Sequence, residues 1–416
     1  MKKLLVLIAA FVLVFGLNNT TDVLAADGDF EIAMITDSGT IDDESFNQGT
    51  WEGITEFCDA EGLTYKYYKP AEISDNAYLA AIDLAVQGGA KVVVTPGFLF
   101  ESSVYAAQTT YPDVKFILID GVPHTPDYAT FETAANTMPI LFNEHESGFL
   151  AGYAAVKEGY TSLGFTGGMA VPAVVKFGVG FVAGAYYAAE EMDIVLDFNS
   201  DRYTYFGDFG PSDEHKNLAS SWYVSGTEVI FSAAGGAGAS VMAAASDNSA
   251  LMIGVDIDQS GQSATVLTSA MKQLGEAVKQ ALQLYVDDAF VGGTTVTKGA
   301  VNDGVALPMD TSRFTTFNQA AYDAIYAKLV DGTVVVPASH EELVTFFTEL
   351  DATQYAAAKS FMDFDAPSAD AIGGTYTPAE DTTEEVKNNE VLFGVLGVVI
   401  GAAAGAGVMF FMGKKQ

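Results

Sequence analysis

The twenty residues from Met34 to Gly53, MITDSGTIDDESFNQGTWEG, hold the densest group of side chains suited to binding chemistry. An apolar run ends in Asp37, Gly39 permits a turn, and Ser45, Phe46 and Asn47 open an amphipathic segment. Ser45 or Asp43 suits a helix cap, because a short side chain bearing oxygen can accept from the free N–H groups of a first turn. Phe46 does not suit that place. A ring at the mouth of a helix either stacks on a planar ligand or folds back on its own helix as a hydrophobic staple, and the residues leave both readings open. Other apolar runs end in Asp120 (FILID), in Gly235 and Gly236 (EVIFSAAGG) and in Asp256 (LMIGVD). A carboxylate at a strand end either caps the next turn or faces a ligand. Lys272, read as the start of an amphipathic helix, opposes the helix dipole and calls for a nearby anion, for which Asp256 is the candidate. Phe177 shares a helical stripe with Val174 and Phe181, so core packing competes with ligand contact there.

The patterns that carry covalent or redox chemistry are missing. Gly236 and Gly238 have no third glycine at the dinucleotide spacing, the Gly178, Gly180 and Gly184 run misses it too, and no Gly-Lys-Ser/Thr appears. His124, His145, His215 and His340 are scattered without a metal-ligand spacing. His124, in a loop after Asp120, belongs either near the cleft or on the surface. The sequence contains no Gly-x-Ser-x-Gly elbow. Cys58, the single cysteine, reads as a small buried hydrophobe. The expectation is a binding protein and not an enzyme, with no catalytic residue, no cofactor and no metal.

The elements that must hold these residues alternate between short β-branched or aromatic runs and longer amphipathic ones. FEIAMI, YKYY, VVVTP and FILID are separated by helical stretches, and a second series runs through SLGFTGG, IVL, EVIFSAAGG and LMIGVD. Such alternation predicts parallel sheets flanked by helices, in two α/β lobes. The expected first lobe covers residues 28–138 plus 268–295, and the second 139–267 plus 296–360, with a helix from Ala270 to Leu284. Ligands of open parallel sheets sit beyond the carboxyl ends of the strands, so the strand-end residues of both lobes would line one cleft.

Composition narrows the partners. The chain has 416 residues, with 54 acidic against 19 basic side chains and a formal net charge of -35. Nucleic acid is excluded as a partner, because its binding needs a basic face to displace counterions. At the amino end, Lys2 and Lys3 precede an apolar run and the small residues Ala25 and Ala26, which predicts a signal peptide over residues 1–25. At the other end an acidic stretch rich in Pro, Gly and Thr, residues 361–390, reads as a flexible stalk. It leads to an uncharged run over residues 391–412, close to the roughly 20 residues that cross a bilayer, followed by Lys414 and Lys415. A transmembrane helix with its basic end inside would leave the bulk of the chain on the outer face of the cell membrane.

The segment from Met34 to Gly53 resembles the signature of the basic membrane protein family of ABC-transporter substrate-binding proteins, which includes bacterial purine nucleoside receptors. The likeness continues through EHESGFLAGYAA, GFTGGMAVPAVVKFGVGFVAG, FSAAGGAG, GVDIDQ and VLTSAMKQ, in the family's order, from about Phe30 to Leu350. It implies a two-lobed periplasmic-binding-protein-like fold of type I and the capture of a nucleoside, purine above all, for delivery to ABC permease subunits in the membrane. Phe46 and Phe177 would then sandwich the base. Asp37, Asn47 and Asp120 would meet its edge, and Asp256, Lys272 and the backbone at Gly236 the ribose. The anchor at the carboxyl end departs from the lipid-anchored members of the family. A monomer is expected. A sugar receptor of the same fold and a sensory ligand-binding protein are the alternatives.

Overall fold

A computed structural model describes residues 30–348 and Phe361. The expected signal peptide and transmembrane helix lie outside the described residues, as does the expected stalk apart from its first residue, Phe361, which is buried in the core of the second lobe.

The chain starts with β1 (Ile32–Ile35), α1 (Phe46–Glu61), β2 (Tyr65–Tyr68), α2 (Asp75–Gln87), β3 (Val92–Pro96), α3 (Glu101–Thr110), β4 (Lys115–Ile119) and β5 (Thr137–Phe142). It crosses at Asn143 into α4 (Glu144–Glu158), β6 (Leu163–Gly167), α5 (Pro172–Met192), β7 (Tyr203–Tyr205), α6 (Asp213–Val224), β8 (Val229–Ala233), α7 (Gly238–Asp247), β9 (Leu251–Asp256) and β10 (Val266–Lys272). It then returns through α8 (Leu274–Val286) and β11 (Val296–Lys298), and crosses a third time to β12 (Val305–Ala306), α9 (Gln319–Val330) and α10 (His340–Thr348). The first sheet has the order β11-β5-β4-β3-β1-β2 and the second β12-β10-β9-β8-β6-β7. Every pairing is parallel except β10 with β12. Parallel strands need crossover helices on both faces, which is why the central strands β1, β3 and β8 are buried along their whole length.

Each sheet is packed on two sides. In the first lobe α1 and α8 cover one face, with Ile54, Phe57, Leu274 and Val278 in the core, and α2 and α3 cover the other with Tyr78, Ile82 and Val104. In the second, α4 and α5 lie on one face and α6 and α7 on the other. The pair α4 and α5 approaches closely because four glycines face the partner backbone. A Cβ on Gly148 would stand 2.2 Å from the Phe177 carbonyl oxygen, and one on Gly180 only 1.9 Å from that of His145. Among the described residues α5 alone is long and apolar enough to cross a membrane, but it is the buried core helix of this lobe.

Three local expectations are corrected, and one strand that the sequence reading did not name is added. The strand β5, which the sequence reading did not separate from its neighbours, joins the first sheet beside β4. The run IVL is not a strand; its place in the second sheet is taken by Tyr203–Tyr205, which pairs with β6. Residues 270–272 are strand and not helix, because β10 is buried between β9 and β12 and the sheet there outweighs helical periodicity. The lobes are therefore cut differently. β10 belongs to the second sheet and β11 to the first, so the crossings fall at Asn143, Gln273 and Gly299, beside one another. They are tied directly: the Asn143 N–H donates to Lys298 O at 2.8 Å and the Gln273 N–H to Gly304 O at 3.0 Å.

Candidate functional site

The carboxyl ends of the strands in both sheets open on one cavity of about 1000 Å³, at the upper end of the usual size of small-molecule sites. All eight residues singled out from the sequence line it: Asp37, Phe46, Asn47, Asp120, Phe177, Gly236, Asp256 and Lys272.

Asp120 and Asp256 follow or end the central strands β4 and β9 in the same backbone state, with φ of 56° and 67°. A non-glycine residue in the left-handed region is strained, and such strain persists where the surroundings fix the side chain. Here they do. The Lys272 ammonium, at the end of β10, reaches Asp120 Oδ2 at 2.5 Å and Asp256 Oδ1 at 3.3 Å, with all three side chains buried. Burial opposes the charge on Lys272, but Asp120, Asp256 and Glu144 together hold its ammonium above the ordinary lysine range. Burial pushes Asp120 up to about 7 in spite of the lysine. Its other oxygen, Oδ1, is buried and has no hydrogen-bond partner, which a packed site rarely leaves so.

The Met34–Gly53 segment resolves its open readings. Asp43 is the cap: its carboxylate accepts from the N–H groups of Ser45, Asn47 and Gln48 at 3.0, 3.1 and 3.0 Å. Ser45 makes no cap bond, and its hydroxyl instead donates to Asp256 Oδ2 across the lobes at 2.6 Å. Phe46 is half-buried against the first-lobe core, and the Lys272 ammonium stands 4.4 Å from the centre of its ring. The amide of Asn47 is used inside the protein, since it donates to Asp37 Oδ1 at 2.9 Å and to Asp43 Oδ2 at 2.8 Å. Both of its N–H donors are committed, so its observed work is to fix two carboxylates. Burial raises Asp37 to about 6, against the hydrogen bonds of Gly39 and Asn47. Gly97, with φ of 116°, passes so close that a Cβ there would lie 2.8 Å from Asp37 Oδ2.

Phe177 takes the core side of its two readings. It is 2 % exposed and meets Phe231 edge-on, with centroids 5.9 Å apart at 83°. It contributes a wall of the cavity, 5.6 Å from the Lys272 ammonium. The freer rings are Phe209, half-buried between β7 and α6, and Phe98, after β3, which packs against the second-lobe core from the first lobe. Sequence reasoning missed both. The only signal for Phe209 was an aromatic in a Gly- and Asp-rich loop, FGDFGPSD, outside the apolar periodicity of any element. Also missed were Glu144 and Lys176, an ion pair at 3.2 Å in the cavity wall in which Glu144 is buried and Lys176 partly so. His124 is neither on the surface nor in the cavity lining; it is buried and lies 3.0 Å from Glu101 Oε2, while Glu101 Oε1 accepts from the N–H of Val122, two residues after Asp120.

The lining carries eight carboxylates, counting Asp37, Asp42, Asp43, Glu44, Asp120, Glu144, Asp208 and Asp256, against Lys176 and Lys272, both of which are paired. Among the described residues no group of acids, histidines or cysteines has the arrangement of a metal site. The arrangement can stack a flat ring and accept hydrogen bonds from a neutral polar ligand.

Residues 30–339 match the family described as ABC transporter substrate-binding protein PnrA-like. The chain is 32% identical over 332 residues to the ABC transporter nucleoside-binding protein BmpA of Lactococcus lactis, across 74% of this chain and 89% of that protein. It is 27% identical over 325 residues to basic membrane protein A of Borreliella burgdorferi, across 77% and 91%. Among solved structures, an ABC transporter solute-binding protein from Aeropyrum pernix is similar with a TM-score of 0.65 at 21% identity, over 79% of this chain and all of that one. A second, from Conexibacter woesei, gives 0.60 at 21% identity over 74% and 99%. At that identity the two structures speak to the fold.

Proposed function

This chain belongs to the PnrA-like family of ABC transporter substrate-binding proteins, and we propose that it captures a nucleoside, purine above all, between its lobes outside the cell and delivers it unchanged to a membrane permease. The observation that carries this reading is one shared cavity in which half-buried rings from both lobes, Phe46 and Phe98 from the first and Phe209 from the second, surround carboxylates, among them Asp120 with its Oδ1 unpartnered. A flat heteroaromatic ring gains from stacking on such faces, roughly 1 to 3 kcal/mol for a base. In this reading Phe46 and Phe209 hold the base, with Phe177 as the wall behind. Asp37 and the free Oδ1 of Asp120 accept from donors on its edge, and Asn47 acts by holding Asp37 in place. Asp256, Lys272 and the backbone at Gly236 hold the ribose hydroxyls. Hydrogen bonds to charged groups contribute about 1.5 to 3 kcal/mol each, enough for a micromolar complex or tighter, about -8 kcal/mol.

The relative from Lactococcus lactis, named for nucleoside binding, supports this ligand class. Closure of two hinged lobes on a ligand makes a surface that an importer can read, and the three crossings, tied to one another by hydrogen bonds, would serve as such a hinge. Residues 391–412 would tether the receptor to the membrane. Calorimetric titration of the full-length chain with adenosine, guanosine, inosine, uridine and glucose tests the proposal. Micromolar or tighter binding of at least one nucleoside, with no heat from glucose, is expected. Binding of glucose alone would overturn it.

A further inference from the structure

Three hydrogen bonds cross between the lobes at the turn that opens α1. Ser45 Oγ donates to Asp256 Oδ2 at 2.6 Å. The Glu44 carbonyl accepts from Gln259 Nε2 at 2.8 Å and from Gln262 Nε2 at 3.1 Å. Glu44 is itself left-handed, with φ of 54°, so this turn presents its carbonyl to the other lobe at a cost in backbone strain. Gln259 is buried and braced from behind, since its Oε1 accepts from the Val255 N–H at 3.2 Å and its N–H donates to Ser269 Oγ at 3.0 Å. Ser45 is fully buried, and Asp43 already performs the helix cap that a serine at that place would otherwise provide. Its hydroxyl is therefore free for the second lobe.

From this arrangement we propose that Ser45 is a positioning residue for ligand binding: from the first lobe it orients the carboxylate of Asp256 in the second, so that the ligand-binding form of Asp256 exists only when the lobes are together. The proposal rests on the reading of Asp256 as a ligand contact. With Lys272 on Oδ1 and Ser45 on Oδ2, the Asp256 carboxylate is held from both ends. Opening the lobes removes the serine and leaves the lysine, which lets the carboxylate turn about its side-chain torsion. Closure and ligand affinity are coupled in this way by one hydroxyl that does not touch the ligand.

The test is hydrogen–deuterium exchange of the full-length chain without ligand, on Ser45→Ala, Asp256→Asn and the double variant. Ser45→Ala is expected to speed exchange of residues 44–48 and 256–262 by roughly tenfold or more, as loss of a hydrogen bond to a charged group implies, and to leave the β1 and β8 cores protected. In the Asp256→Asn background the same change should add little, because a residue that acts through another is not additive with it. Inosine dissociation should be faster by a similar factor. Unchanged local exchange, or an equal increment in both backgrounds, would overturn the proposal. Should inosine fail to bind the unmodified chain, the ligand reading fails, while the exchange comparison still decides whether Ser45 holds Asp256.

Discussion

The Lys272 ammonium stands 4.4 Å from the centre of the Phe46 ring, a contact that joins the last residue of β10 in the second lobe to the first residue of α1 in the first. The same ammonium neutralises Asp120 and Asp256. One side chain thus links ring, carboxylates and both lobes.

Replacing that side chain has a defined consequence. Lys272→Met leaves two buried carboxylates without their counterion, and breaking one side of a buried pair costs about 3 to 5 kcal/mol. Thermal denaturation should show a clearly lower Tm, and titration should show nucleoside affinity lost. A Tm within a degree or so of the parent would mean that the ion pairs do not matter to the fold.

The two phenylalanines of the second lobe separate by their burial. Phe209→Ala should weaken nucleoside binding by roughly tenfold or more through lost stacking, with little change in Tm. Phe177→Ala should cost about 3 to 5 kcal/mol of stability, as a large core truncation does. Calorimetry and denaturant unfolding on both variants check this; the reverse pattern would return Phe177 to the ligand.

Asp37 makes stability depend on pH. Its folded value is raised to about 6 by burial, above the roughly 3.9 of an unfolded aspartate. A carboxyl group that holds its proton more tightly when folded contributes stability fully below about pH 4, and that contribution fades as pH rises through about 6. Unfolding of the parent and of Asp37→Asn, measured from pH 4 to 7, should therefore show the variant gaining on the parent as pH rises. A constant difference between them would refute the assignment.

The acid-rich lining predicts discrimination by charge. With eight carboxylates in the wall and both lysines paired, the phosphate of a nucleoside monophosphate finds no free cation. Adenosine monophosphate should bind at least tenfold more weakly than adenosine, and the gap should narrow with added salt as the repulsion is screened. Equal affinities at low salt would contradict this electrostatic picture.

Much of the site was legible because strand ends in a parallel sheet are places where a sequence shows itself: an apolar run stops abruptly at a polar residue. Asp37, Asp120 and Asp256 were visible for that reason, and they line the cavity. Phe209 was not, because a loop aromatic carries no periodicity. The division of labour between Asp43 and Ser45 was equally hidden, since either residue type can cap a helix and only the distance to Asp256 separates them.

By itself the sequence determined the α/β class and the alternation that makes the sheets parallel, because hydrophobic period and strand length are local properties. It also pointed to the strand-end residues. Tertiary structure decided the rest: that β10 is a strand, that the lobes exchange strands at Asn143, Gln273 and Gly299, that Phe177 is core, and that Ser45 reaches the other lobe. Each of these depends on groups far apart in the chain, as in the bond between Ser45 and Asp256, which lie 211 positions apart. No local pattern encodes such partners, since the energy of a buried contact is set by what lies opposite and not by what comes next.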